Sequence, residues 1–578
     1  MNRFSAAALC LLLAQGCGEP SPDGKGAPPK DVVFISGALL IPGDGTPPIE
    51  KATMIIEDGV ITHVGKEREF FAPRGSLSVE LPGKTIAPLF VNLHAYPGLG
   101  SAGNFGAKNY KRESLSDDLN RYGYYGVGAV LAGGDSDGLA FQLRDELRDG
   151  KATGAMLYTS GRGIAARGSS GYMASIPLLV SGDADARKAV AELADRNVDA
   201  IVLWADGMKA DASNAVIDEA HKRKLKVFAD APGLAEARNL VRANVDALIS
   251  SVRDQDVDND LISMMKEKKI SLSPALTALE ARFGYAERPS WLGEQAMREV
   301  YPPALSAYLA APAIMNKFKR NPQIGAYRQQ FETASKNLKK LAESGVTVTL
   351  GSGSGLADTF PGYFEHRELE LMVKAGVSPM DTITAATSSS AAALGISDLG
   401  VLAPGKKGSF IIFSTNPLEN ITNSKDIDAV YVNGNDIDRL EMIRTIQVQR
   451  VEVSREDLAR DEELRRIERE EEEDRGLTKY GKFALGPAVN VAPGLIVQTP
   501  KRSKAASAPG GPPYRITVQL QRASGADLRE FYSRVLATAK WTVAGNCWEK
   551  SILAQEGKKW RLCAAPSQGQ IILNITVQ

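Results

Sequence analysis

Thr85-Ile-Ala-Pro-Leu-Phe-Val-Asn-Leu-His-Ala-Tyr-Pro-Gly98 is an apolar run that ends in a histidine and a tyrosine, with proline and glycine at its exit. An uninterrupted apolar stretch of this kind predicts a strand buried on both faces, as in a parallel sheet covered by helices. Such a strand delivers His94 to the rim of its sheet.

Downstream, strand-like runs alternate with amphipathic helical ones. Eight strands are expected, at Ile86–Leu93, Gly126–Leu131, Gly154–Thr159, Asp199–Ala205, Leu225–Ala229, Val245–Ser250, Ser271–Ala275 and Val346–Leu350. Eight strand–helix repeats favour an α/β fold closed as a (β/α)8 TIM barrel. A long, mostly helical insertion, Leu276–Ser344, precedes the last strand. Upstream, Val32–Ile35, Ala52–Ile56 and Val60–Val64 alternate as short strands, and Glu57-Asp58-Gly59 has hairpin chemistry.

With 578 residues the chain has room for two or more domains. Lys+Arg and Asp+Glu balance at 69 each, so no bulk field recruits nucleic acid, and none is expected as a partner. The chain has only four histidines, which constrains any metal site. Residues 1–17 read as a signal peptide: Arg3 is the charged start, Phe4–Ala14 the apolar core, and small residues precede Cys17. Ala14-Gln15-Gly16-Cys17 resembles a bacterial lipoprotein box, which implies lipidation of Cys17 and a membrane anchor in the cell envelope. An ordinary secretory signal with an incidental cysteine is the alternative. The apolar run is too short to span a bilayer. Residues 18–30 form a tether rich in proline and glycine. Two of the remaining cysteines, Cys547 and Cys563, fall in one C-terminal module, where an oxidising compartment favours a disulfide; free buried thiols are the alternative.

Beyond the barrel, residues 441–513 divide into a charged stretch, Ser454–Arg475, expected as a solvated helix, and the linker Leu485–Pro513. Residues 514–578 read as a small α+β domain, with strands alternating at Ile516, Val518 and Leu520 and a helix carrying Leu528, Phe531 and Val535.

Several motifs carry a family resemblance. The opening strand resembles the metal-binding "D-x-H-x-H" strand of the amidohydrolase superfamily, in its imidazolonepropionase/prolidase-like branch. Phe364-Glu-His-Arg-Glu-Leu-Glu370 and Thr384–Gly395 look like that family's closing helices. Leu399-Gly-Val-Leu-Ala-Pro-Gly-Lys-Lys-Gly-Ser-Phe410 is similar to its return strand, and Val430-Tyr-Val-Asn-Gly434 to its last hairpin. The resemblance implies a composite β-sandwich from residues 31–85 and 400–440, flanking a barrel over residues 86–399.

In that family the barrel's carboxyl rim holds divalent metal that activates water for attack on a carbon–nitrogen or ester bond. Carried over residue by residue, the ligand set is degenerate. Tyr96 stands for the second histidine of strand one and Val202 for the bridging lysine of strand four. Asp230 and Pro232 face the "H-A-H" of strand five, Ser250 the histidine of strand six, and Gly353 the aspartate of strand eight. His94 alone remains. A reduced site, with His94 and Asp230 recruiting Asp206 or Asp358, would hold at most a single weakly bound zinc. Gly351-Ser-Gly-Ser-Gly355 lacks a serine at the centre of the nucleophile-elbow pattern. His63, His221 and His366 are expected in structural or solvent-facing places.

These readings predict no catalytic residues, no cofactor, and a ligand-binding mouth lined by His94, Tyr96, Trp204, Asp230, Ser250 and Ser352. The protein is then an exported, lipid-anchored pseudoenzyme binding a small molecule or an envelope protein. Two alternatives stand beside it: a hydrolase of C–N bonds with a remodelled site, and an envelope scaffold.

Overall fold

The computed structural model describes residues 31–101, 103–135, 138–168, 176–444 and 446, and the C-terminal strands 515–518, 542–544, 547–551, 559–567 and 570–577. The expected signal peptide, tether, charged helix, linker and C-terminal helix lie outside these residues. No helix among the described residues is long and apolar enough to cross a membrane.

The opening apolar run becomes two strands. Thr85–Pro88 joins an eight-stranded sheet with Val32–Leu40, Ile49–Glu57, Val60–Lys66, Leu77–Glu80 and the return strands Phe410–Phe413, Ile427–Val432 and Asn435–Asp436. The apolar face of this sheet closes largely on itself, with Ile35, Leu40, Met54, Ile56, Ile61, Phe410 and Ile412 in one cluster. Asp58 and Gly59 take positive φ, 50° and 79°, which makes the predicted hairpin turn.

Phe90–Ala95 then starts the barrel and pairs in parallel with Val127–Ala132, itself parallel to Met156–Thr159. The second arc runs in parallel through Ile201–Trp204, Val227–Asp230, Ala247–Leu248 and Ser271–Leu272. Main-chain bonds join the arcs: Asp199 N–H donates to Thr159 O (2.8 Å), Leu272 N–H to Thr347 O (2.9 Å) and Leu93 N–H to Leu350 O (2.9 Å). Residues 346–350 therefore take the eighth place without forming a regular strand. One reason is that the Leu350 N–H is held by the Ser390 hydroxyl (2.9 Å).

Strand alternation sorts side chains to two sides. Ile201, Leu203, Val227, Ala229 and Leu248 pack with helix residues such as Val190, Leu193, Ile217 and Leu240. Val202, Trp204, Phe228 and Ala247 instead join the cluster of the first strand, inside the barrel. Trp204 and Asp230, the last residues of their strands, thus stand at the carboxyl ends on the inner side. The insertion after the seventh strand is helical, ending in the twenty-residue helix Ile324–Glu343. An additional parallel pair, Ile164–Ala166 with Leu178–Val180, extends the second arc beside Leu203 and Trp204 and was not expected from sequence.

The C-terminal unit is a separate antiparallel sheet of five strands, Arg515–Val518, Gln570–Val577, Lys559–Ser567, Cys547–Ser551 and Thr542–Ala544 in spatial order. Cys547 and Cys563 are directly opposed in its register.

Candidate functional site

Phe90–Ala95 is buried throughout, and its register against the second strand shifts between Asn92 and Ala95. Such a shift re-aims the residues that follow it. Asn92 stabilises the bend: its Oδ1 accepts the His94 N–H (2.9 Å).

His94 is 5% exposed. Its Nε2 lies 2.8 Å from the Tyr96 hydroxyl, which also accepts from Trp204 Nε1 (3.0 Å). The tyrosine and tryptophan rings stack with centroids 6.3 Å apart, and Phe105 packs edge-on to Tyr96 at 5.8 Å. Gly163 makes room for the indole: at φ +68° it takes a conformation that suits glycine, and a Cβ there would fall 2.5 Å from Trp204 Cζ3. The tyrosine oxygen has lone pairs for both ring N–H groups, so with the imidazole proton on Nε2 it accepts from His94 as well as from Trp204. The histidine Nδ1 makes no full hydrogen bond. Burial holds the His94 pKa below the ordinary histidine value. The Asp230 carboxylate and the Ile249 backbone pull it back up, and Arg253 pushes it down.

Asp230 is partly buried and accepts a short hydrogen bond from the Ser250 hydroxyl. The predicted mouth residues therefore fall into a bonded His94–Tyr96–Trp204 set and a bonded Asp230–Ser250 set, coupled by the Asp230 charge. Ser352 lies elsewhere. It is fully buried, and its hydroxyl donates to Glu365 Oε1 (2.5 Å). It therefore does not line an open mouth, because a fully buried carboxylate has drawn its side chain away.

Glu365 is the centre of a second polar group that sequence reasoning missed. Its Oε1 accepts from Asn92 Nδ2, Ser352 Oγ and Ser354 Oγ, each at 2.5 Å, and its Oε2 from Gly362 N–H at 2.6 Å. Tyr122 OH in turn reaches Ser354 Oγ at 2.6 Å. Burial raises the Glu365 pKa, while the serine and backbone donors oppose the rise. Through Asn92 this carboxylate ties the first strand, the 351–355 turn and the helix Tyr363–Ala375 together. Arg253, whose charge reaches His94, was also missed; it lies on the loop that follows Ser250, where spacing carries no signal.

The remaining histidines are accounted for. His366 donates from Nε2 to Tyr125 O (2.9 Å) and accepts at Nδ1 from Ser424 Oγ (3.0 Å). His221 meets Asp246 Oδ2 at 2.9 Å on the surface, and exposed His63 touches Thr62 and Phe70.

The fit to a divalent metal fails on the donors present. Among the described residues no three His, Cys, Asp or Glu side chains converge to hold one. Asp206 is exposed, and Asp358 is held by the Gly103 N–H at 2.7 Å, so neither completes a site with His94 and Asp230. Val202, at the expected place of a lysine ligand, is buried in the barrel core. Gly353, at the expected place of an aspartate, has φ +68° and a Cβ position 2.8 Å from Ala278 Cβ, so a side chain there is both strained and crowded.

Comparison with known proteins agrees with this architecture. Residues 205–437 match the amidohydrolase family model. Among solved structures, a Xaa-Pro dipeptidase with bound methionine superposes with a TM-score of 0.56 at 19% identity, covering 70% of this chain and 100% of that one. Molinate hydrolase gives 0.56 at 18% identity over 71% and 95% of the two chains. The A. niger ochratoxinase gives 0.55 at 20% identity over 70% and 95%. A search of curated proteins found no match. Residues 205–437 thus match the amidohydrolase family, and the chain shares the fold of these solved hydrolases.

Proposed function

We propose that this chain is an exported, lipid-anchored amidohydrolase-fold protein that binds a small molecule at the barrel mouth and has lost metal-dependent hydrolysis. One observation carries the reading. The Tyr96 hydroxyl bridges His94 Nε2 and Trp204 Nε1, so the surviving imidazole is turned to a protein partner and not to a shared centre. A catalytic zinc site generally needs three protein ligands and an open position. What remains at the mouth is a polar binding surface: a buried imidazole Nδ1, the Asp230–Ser250 pair and aromatic walls. Export and anchoring rest on the segment ending at Cys17 and are tested by mass analysis of the mature N-terminus, where an acylated Cys17 supports them and an unmodified one rejects them.

The decisive experiment is metal analysis of the purified protein together with amide-, dipeptide- and cyclic-amide hydrolysis, with and without zinc or manganese. The expected result is substoichiometric metal and no turnover. Stoichiometric, tightly held metal with turnover lost in His94→Ala overturns the proposal.

A second reading, hydrolysis of a C–N bond without metal, is favoured by one feature. Burial disfavours the charged form of His94, the Asp230 charge acts on it, and with the ring proton on Nε2 its Nδ1 carries a lone pair with no hydrogen-bond partner. A neutral imidazole in that setting can serve as a general base for water. Metal-independent turnover that vanishes in both His94→Ala and Asp230→Asn would establish it.

A further inference from the structure

A cavity of about 570 Å³ opens at the end of the barrel opposite His94. Leu89, Val127 and Met156 line it where the first three barrel strands begin, and Val430 and Met442 close it from the return segment. Its volume falls within the range of small-molecule pockets, and its walls are mostly apolar.

The charged side chains on those walls, Lys407, Asp438 and Glu441, are exposed at the rim, while Thr153 and Ser409 bond within the protein. Lys407 pairs with Asp398 (2.8 Å) and Glu441 with Arg444 (3.1 Å). Asp438 accepts the Glu441 N–H (2.9 Å), Thr153 donates to Asn120 (3.1 Å), and Ser409 Oγ accepts the Asn433 N–H (3.0 Å). A charged guest would shed its hydration against the inner wall of Leu89, Val127, Leu147, Met156 and Leu399, where no charged partner lies, which is costly. A neutral apolar guest loses nothing of that kind and gains from area removed from water.

We propose that this cavity is a second binding site, independent of the barrel mouth, for a neutral apolar small molecule. The test titrates the purified full-length chain with Nile red, then displaces the dye with dodecanol, dodecanoate or dodecylamine. Binding is expected to saturate at one dye per chain, and dodecanol to compete about tenfold better than either charged analogue. Val432, at the rim and 37% exposed, and Ala152, on the wall, give two variants. Val432→Glu and Ala152→Phe are each expected to weaken the dye about tenfold, whereas His94→Ala leaves its affinity unchanged. Should Ala152→Phe fail to fold, Val432→Glu alone decides, because its side chain is partly in solvent. Uptake that does not saturate, an affinity unmoved by the folded variants, one lost in His94→Ala, or stronger competition by dodecanoate or dodecylamine overturns the proposal.

Discussion

At the scale of single residues, the tyrosine two places after His94 determines the character of the mouth. Its hydroxyl satisfies two buried ring nitrogens at once. Tyr96→Phe strands both without opening space for water, so a loss of about 2–4 kcal/mol in urea unfolding is expected. A change below about 0.5 kcal/mol would mean that the bridge contributes nothing to the fold. Asn92 is the second such residue, since its amide nitrogen faces Glu365 Oε1 at 2.5 Å. Asn92→Asp sets two buried carboxylates against one another, and they can coexist only by sharing a proton. That shared proton has a raised pKa, so stability is retained in acid and lost as pH rises. The variant is expected to lie about 3 kcal/mol below wild type at pH 8, to recover about half of that at pH 5 and nearly all of it below about pH 4, measured by urea unfolding. An equal deficit at both pH values would show that geometry, and not charge, is responsible.

At the scale of elements, the first seven barrel strands are legible because each is an apolar run between amphipathic helices, whereas residues 346–350 take the eighth place without regular pairing. Boundaries are less so: the apolar run predicts a strand over Val245–Ser250, but regular pairing covers Ala247–Leu248 only. The resemblance implies a closing helix at Tyr363–Ala375, yet it carries no information on the state of its acids. Glu365, Glu368, Leu369 and Met372 recur at the i, i+3, i+4, i+7 spacing of one buried stripe, and that was the available signal. A sequence shows which residues share a face; it does not show that the neighbouring elements supply donors to a buried carboxylate. Leu276 N–H (2.8 Å) and Thr277 N–H (2.7 Å) do so for Glu368. Two titrations on this helix then oppose each other. Burial lifts Glu368 from 4.5 to about 7, a contribution fully present below pH 4.5 and lost as pH rises to 7. Burial lowers His366 from 6.5 to about 3, a contribution fully present above pH 6.5 and lost as pH falls toward 3. Their slopes, about 1.4 kcal/mol per pH unit each, cancel between pH 4.5 and 6.5. Glu368→Gln should therefore expose a stability that falls with acid over that window, and His366→Gln one that rises. Parallel profiles for both variants and wild type would refute the assignment.

At the scale of the whole molecule, the ring of eight closes through main-chain bonds and apolar packing, with no side-chain set that converges on a cation among the described residues. The resemblance tells where ligands would belong, and sequence alone puts Val202, Ser250 and Gly353 at those places. The bonding of Tyr96 to His94 was not legible, since it depends on Trp204 arriving from a strand 108 residues away. A barrel assembled in this way should gain no stability from metal. Anything that binds the folded state alone adds about 2.7 kcal/mol at a hundredfold excess over its dissociation constant. Even in a chain this long, that would register as a shift of about 2–3 °C. After treatment with a chelator, addition of zinc or manganese is expected to leave the melting temperature unchanged to about 1 °C. A rise of about 2–3 °C or more that disappears in His94→Ala would mean that Tyr96 yields the imidazole to a cation, and that the hydrogen-bonded mouth is only the metal-free state of a working centre.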